Sequence, residues 1–385
     1  MIYKFKYCFL LIIQSFVVLS YAQEPVFSQF YDNPIYLNPA LAGQYRYRFS
    51  VNLNNQWIKV PGKFNTQSIS FDARYEPKKF SDRPSQAELI FGGYYLNNSE
   101  GELSLRNQQY SFLIGTRFRI NRNIKVAIPI QGTFGTRRID LTNAVFRQNL
   151  DPVLGNIYSS NFITPHDNFY SYINFNSGFN ITHTNSEVSY DRKIDFGCAI
   201  HNILSTEPEG FISNRNVSRN KFTVYASMLK KEFFNSDFRC SMFYQSQFAL
   251  KTIQAAVQLY PSKLSATQNK RNTYIGTGVF FRSQIYNTKI TSDPAKFMEA
   301  IYFPLFILNS NSKFSLKASF SYGLSTSEIL QSNSGGICEV SIQIINNTDN
   351  YWDICPGDKG YRKDLGKKKN KIKSKNKRKT KKKSN

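Results

Sequence analysis

Few residues in this chain have the type and spacing that reactive chemistry needs. Its 385 residues include 3 histidines, His166, His183 and His201, each in a different segment. A nucleophile needs a base within hydrogen-bond reach, and His166-Asp167 has no serine or cysteine beside it in sequence; solvation in a polar loop is the expected role. His201 ends the run GCAIHN, which reads as a strand, so it is expected to face an interior or an interface. There is no nucleophile elbow and no phosphate-binding glycine loop. A hydrolase assembled across strands would have to use His166 or His201, and no catalytic residue is assigned. Of the 5 cysteines, Cys8 lies near the amino terminus, and Cys198, Cys240, Cys338 and Cys355 follow without a C-x-x-C or a Cys/His cluster. That spacing offers no metal site, and no cofactor is expected. A bridge between Cys338 and Cys355 would clip the carboxy-terminal tail to the strand before it.

Charge is the abundant chemistry. The net charge is +24, and in KKKNKIKSKNKRKTKKKSN, residues 367–385, 12 of 19 residues are Lys or Arg and none is acidic. At the other end, Lys4 and Lys6 precede an apolar run from Cys8 to Leu19, with Ser20 and Ala22 at the −3 and −1 positions. Residues 1–22 therefore read as a signal peptide cut before Gln23; the run is short of the roughly 20 apolar residues of a spanning helix. An exported chain does not meet nucleic acid. The basic tail, set within residues 346–385, is expected to be a solvated disordered end or to find anionic lipid, an acidic cell-wall polymer or an acidic protein face.

The elements that must position these residues show one repeated pattern, stretches of about ten residues in which polarity alternates with period two. In YRYRFSVNLN, Tyr45, Tyr47, Phe49, Val51 and Leu53 point one way and Arg46, Arg48, Ser50, Asn52 and Asn54 the other. Marking every such run gives strands near 45–55, 66–75, 87–97, 108–120, 123–137, 169–181, 192–201, 220–230, 237–247, 249–260, 272–283, 297–306, 313–322 and 337–345. Soluble sandwiches use strands of about 5 to 6 residues, whereas membrane strands need about 9 to 11. The fold class expected is all-β, a transmembrane antiparallel β-barrel of the outer-membrane type with about 14 strands over residues 45–345. Tyr45, Tyr94, Tyr95, Tyr110, Tyr260 and Tyr322 would then lie at the lipid headgroups. The link at Asn121-Arg122 is tight and the link from Ile139 to Asn168 long, and an even strand count places both ends of the barrel on the periplasmic side.

Arg46, Arg48, Arg117, Arg119, Lys125, Arg137, Lys313 and Lys317 fall on the lumen face, with Asp72 and Glu339 among few carboxylates. Two readings stay open: an anion-selective porin, or ordinary polar filling of a wide barrel. If the first and last strands pair, Glu339 could meet Arg46 or Arg48 across the seam.

Between signal and first strand lies EPVFSQFYDNPIYLNPALAG, within residues 23–44. Asn33-Pro34 and Asn38-Pro39 force turn or extended backbone, and Phe27, Phe30, Tyr31 and Tyr36 need apolar cover. As an ordered periplasmic segment it could plug the barrel mouth or present a docking surface. Its residues also carry a resemblance. Phe27-Ser28-Gln29-Phe30-Tyr31, Pro34, Tyr36-Leu37-Asn38-Pro39-Ala40-Leu41-Ala42-Gly43 and then Asn55-Gln56-Trp57 closely resemble the amino-terminal signature of the PorP/SprF family. The likeness continues through Thr66 to Asp72, Phe196 to Asn202 with Pro208, Ser334-Gly335-Gly336 and Glu339-Val340-Ser341. Ile58 departs from it, since the family often places proline after the tryptophan. What the resemblance implies is an outer-membrane partner protein of the type IX secretion and gliding machinery of Bacteroidetes. Such a protein contacts the periplasmic ring or helps a secreted adhesin-like substrate to be exported and held at the surface.

Overall fold

A computed structural model describes residues 27–59, 63–75, 87–101, 104–121, 123–139, 150–151, 155–156, 169–185, 192–205, 220–233, 236–247, 250–261, 272–286, 296–310, 314–325 and 335–346. The strands are β1 (Tyr47–Gln56), β2 (Phe64–Tyr75), β3 (Ala87–Glu100), β4 (Leu105–Arg119), β5 (Ile124–Arg138), β6 (Leu150–Asp151), β7 (Gly155–Asn156), β8 (Phe169–Thr184), β9 (Arg192–Ser205), β10 (Lys221–Phe233), β11 (Ser236–Gln247), β12 (Leu250–Pro261), β13 (Asn272–Tyr286), β14 (Lys296–Ser310), β15 (Phe314–Ser325) and β16 (Ile337–Asn346). All but β6 and β7, which pair only with each other, form one closed antiparallel barrel of 14 strands. Each barrel strand holds 10 to 16 residues, so the alternating runs mark the middle of each strand and the polar flanks extend it.

Lipid offers backbone groups no partner, so a spanning sheet must close on itself. Closure here is made by β1 against β16, with Arg48 opposite Ile345 and Gln56 opposite Ile337. β1 therefore begins, and β16 ends, at one rim, which we call the terminal rim; the 139–168 link leaves from the opposite, loop rim. Two prolines interrupt the ladders, Pro129 on β5 and Pro304 on β14. Proline donates no ladder bond, and in both places a neighbouring hydroxyl takes over its carbonyl: Ser177 Oγ donates to Pro129 O at 3.0 Å and Thr277 Oγ1 to Pro304 O at 3.2 Å.

Period-two alternation turns one face outward. Tyr110, Phe112, Ile114 and Phe118 of β4 are exposed, while Gln109, Ser111 and Arg117 of the same strand are buried. In solution so much bare apolar surface would be a fault; against hydrocarbon it is the stabilising face. No described helix is long and apolar enough to cross a membrane, which leaves the strands to do so.

Three expectations need correction. Tyr94 points inward and is buried beside Tyr36, because it shares parity with the inward Glu88 and Asn98. Tyr45 precedes β1 and is not bound by its alternation; it turns under the Arg48 guanidinium, 5.4 Å from ring centroid to Cζ. Arg46, likewise ahead of the strand, is exposed at the terminal rim. Tyr95 and Tyr110 do share the outer face, with ring centroids 5.0 Å apart; Tyr260's side chain lies outside the described residues.

The exposure of Phe112, 78% at mid-strand, generates a test. Phe112→Arg sets a charge in hydrocarbon, and we expect reversible folding into lipid vesicles to lose about 2–4 kcal/mol. Denaturant titration of the refolded barrel measures it, with Ser111→Ala on the opposite face expected to change stability far less.

Candidate functional site

The inward faces of the strands are rich in Asn, Gln, Ser, Thr and charged groups, and a closed barrel of this width must hydrate or fill them. Here residues 27–43 fill them. Every residue from Phe27 to Gly43 is buried, folded as two short 3-10 turns, Phe30–Asp32 and Pro39–Leu41, around one α-helical turn, Pro34–Leu37. Pro34 and Pro39 sit at the starts of their turns, where no amide hydrogen is needed. Of the two expectations for this segment, plug or docking surface, the described residues 27–43 fit the plug, seated inside the lumen. The physical reason is mutual need. A turn-rich backbone leaves polar groups unpaired, and the strands present partners at the same depth.

Asp32 is the most heavily bonded of these residues. Its carboxylate meets Lys317 Nζ and accepts from Ser319 Oγ at 2.8 Å and Ser341 Oγ at 2.7 Å. Its backbone oxygen accepts from Gln343 Nε2 at 2.8 Å. Glu339, fully buried, accepts from the backbone amides of Ser28 at 2.7 Å and Gln29 at 3.1 Å. The Gln29 side chain donates to Ser321 Oγ at 2.9 Å. The predicted contact between Glu339 and Arg46 or Arg48 is overturned by register: Glu339 stands opposite Asn54, while Arg48 stands opposite Ile345. Six residues of strand, about 20 Å, separate the two.

Arg48 instead donates from Nε to Asp72 at 2.7 Å and from its guanidinium to Leu41 O at 3.2 Å. Asp72 also accepts from Gly43 N at 2.7 Å, and Arg117 grips Gly43 O at 2.7 Å and Ala42 O at 3.0 Å. Gly43 has φ +65°, and a Cβ there would meet Ile90 Cγ2 at 2.4 Å, so only glycine fits. On the far wall Asn38 donates to the carbonyls of Phe179 and Cys198 at 3.3 and 3.2 Å and accepts from Ala40 N at 2.8 Å. Gly178 makes room for it; a Cβ there would lie 2.1 Å from Asn38 Oδ1. Leu37 O takes a contact from His201 Nε2 at 3.3 Å and a hydrogen bond from Thr223 Oγ1 at 3.2 Å. The aromatics find rings: Phe30 stacks on Phe243 at 5.6 Å, Tyr31 meets Phe280 edge-on at 5.5 Å, and Tyr36 lies between Phe27 and Tyr94, 5.7 Å from each. Lys221 stands over the Tyr36 ring at 4.6 Å.

The structure divides the remaining sites. Asn55, Gln56 and Trp57 are carried to the loop rim, where Trp57 N donates to Gly336 O at 2.9 Å and its ring meets Phe64 edge-on at 4.6 Å. Trp57 adopts φ +58°, a left-handed conformation strained for an aromatic residue. Lys125 and Arg74 share Glu88, at 3.9 and 3.4 Å; Arg119 is half-buried beside them in β4. Arg137 donates to Tyr170 O–H oxygen at 2.8 Å near the loop rim. His183 faces outward, half-buried. Cys338 is a thiol. His166, Lys313 and Cys355 lie outside the described residues. Sequence reasoning did not single out Asp32 or Ser341 as site residues; parity along β15 and β16 places Lys317, Ser319, Glu339 and Ser341 on one face, and an acidic residue amid buried aromatics was the signal for their partner.

This architecture defines a class: a transmembrane β-barrel of the outer-membrane type whose own amino-terminal segment occupies the lumen. The chain belongs to the PorP/SprF family, type IX secretion system membrane proteins, whose model matches residues 19–344. No curated protein matches it. Among solved structures, a FadL homologue of Pseudomonas aeruginosa aligns with 78% of this chain and 90% of its own at 11% identity and TM-score 0.44. The toluene transporter TodX of P. putida aligns with 80% and 91% at 8% identity and TM-score 0.40. CdiB of Acinetobacter baumannii aligns with 78% of this chain at 9% identity and TM-score 0.40, the match spanning 60% of CdiB. At these scores the barrel rests on the chain's own strand pairing.

Removing one member of a buried ion pair strands the other, at a cost of about 3–5 kcal/mol. Asp32→Ala leaves Lys317 in that state, and we expect residues 27–43 to lose hydrogen-exchange protection while barrel amides keep theirs. Gly43→Val should act alike from the other anchor. Unchanged protection of the segment in both variants would refute the anchoring role.

Proposed function

We propose that this barrel works as an outer-membrane partner protein of type IX secretion and gliding, supporting export or surface attachment of an adhesin-like secreted client. The observation that carries the reading is that the residues bearing the family signature, Phe27 to Gly43, fill the lumen. A family this tied to a secretion machine, together with a lumen closed by its own signature, favours a binding role over a conduit. The terminal rim, where β16 hands over to the Lys-rich tail, would face the periplasm and its ring proteins. The outer faces of the strands would meet lipid, and the tail would reach an acidic partner or cell-wall polymer.

The geometry favours this reading over an anion-selective porin. Arg48, Arg117 and Lys317 are engaged with Asp72, with the carbonyls of Ala42 and Gly43, and with Asp32, which supports a filled lumen over a through-going anion path. Two measurements test the proposal together. Deleting the gene should abolish surface display of its client while general secretion continues; unchanged display sinks the partner role. In planar bilayers the full-length barrel should be nearly silent and a chain lacking residues 27–43 should conduct. A steady anion-selective current from the full-length barrel would instead revive the porin.

A further inference from the structure

Below the folded segment, toward the terminal rim, a cavity of about 50 Å³ remains between it and the wall. Four cations line it, Arg48, Lys193, Arg239 and Lys317, against two carboxylates, Asp32 and Asp195. Tyr45 and Ser227 add hydroxyls, and Gln44 and Gln343 add amides. Three of the cations are held in place: Lys193 Nζ lies 2.8 Å from Asp195, Arg48 Nε 2.7 Å from Asp72, and Lys317 contacts Asp32. The same half of the wall carries Arg74, Arg117, Lys125 and the half-buried Arg119 around Glu88, and Asp237 is buried close to Arg239 in β11. Among the described residues of that half these cations outnumber the carboxylates Asp32, Asp72, Glu88, Asp195 and Asp237.

A second observation points the same way. Strand pairing sets Arg48 directly opposite Ile345, so the chain leaves β16 for its Lys-rich tail beside the wall of this cavity. Fixed cations in a walled, partly dehydrated site attract an anion far more strongly than the same charges in open water.

We propose that this vestibule is a binding site for a carboxylate, an Asp or Glu side chain on an acidic polypeptide segment that enters from the terminal rim. The cavity has room for a few waters, which matches one planar carboxyl group rather than a bulky sulfated or phosphorylated sugar. Hydroxyl and amide groups among the cations suit a group that both carries charge and accepts hydrogen bonds. One buried carboxylate sets the register, and the tail, 12 of whose last 19 residues are basic, adds a diffuse attraction for the rest of an acidic segment. The inference deepens the partner role given above and rests on it only for the statement that this rim faces the periplasm.

The probe is fluorescent hexaglutamate, titrated at low salt onto the purified full-length barrel in detergent. We expect saturable binding that falls about tenfold, or about 1.4 kcal/mol, in Lys193→Gln/Arg239→Gln. Lys193→Arg, which keeps the charge, should retain affinity. Heat-dependent gel mobility confirms folding of each variant; if the double variant does not fold, Arg239→Gln alone is read. Truncation after residue 366 should weaken binding yet leave its sensitivity to Arg239→Gln. Equal affinity in the folded charge variant and the parent would overturn the site, as would binding that vanishes wholly with the tail. Competition by dextran sulfate with no preference for hexaglutamate would equally overturn it in favour of unspecific polyanion attraction. Because binding is read on purified protein and client display in cells, failure of one leaves the other standing.

Discussion

Closing 14 strands in lipid settles every ladder hydrogen bond and at once creates a second problem, a ring of inward polar side chains cut off from bulk water. Everything distinctive about this molecule answers that second problem. Residues 27–43 bring unpaired amides, carbonyls and one carboxylate to a wall of Ser, Asn, Gln, Lys and Arg, and each side satisfies the other. The segment could not be buried without such partners, whereas the wall without the segment would have to hydrate.

The anchors are not spread evenly. Asp32, Ser28 and Gln29 bond to Lys317, Ser319, Ser321, Glu339, Ser341 and Gln343, all on β15 and β16. Those are the last strands made, and β16 is the strand that closes on β1. The segment immediately precedes β1 in the chain, so its bonds to β16 tie together the same two strands that form the seam. Closing the seam and filling the lumen are therefore coupled events. A β16 that has not docked leaves the segment without its main partners, and an absent segment leaves Lys317 and Glu339 to water.

Much of this was legible in the sequence. Period-two alternation located all fourteen strands because lipid and lumen differ so sharply that one misplaced residue is costly. The same parity rightly set Arg48, Arg117 and Lys125 on the inner face. It does not hold at Tyr45 and Arg46, which stand just ahead of β1 and so escape its pleat; at Tyr94 parity with Glu88 points inward, against the headgroup expectation. The segment's location was not legible. Nothing in FSQFYDNPIYLNPALAG distinguishes a lid from a lumen filler, since burial inside a barrel depends on partners some 300 residues away in sequence, such as Glu339 for Ser28. Register also lay beyond local pattern: that Glu339 meets Asn54 and not Arg48 follows from the shear of the whole barrel.

The two ends of the segment differ in a way that bears on how the barrel works. At Gly43 the chain is held by Asp72 and Arg117 through backbone atoms alone, contacts that most substitutions in the segment would leave intact. Farther along the lumen it is held by the side chains of Asp32 and Gln29 and by the backbone amides of Ser28 and Gln29 on Glu339. Between the two sets Asn38 donates to the carbonyls of Phe179 and Cys198, Leu37 O accepts from Thr223 Oγ1 and Leu41 O from Arg48, so loss of the Asp32 set alone would leave residues 37–43 anchored. The segment is thus tied along its length to β1, β2, β4, β8, β9, β10, β15 and β16, so the filling of the lumen braces the seam and the wall facing it together.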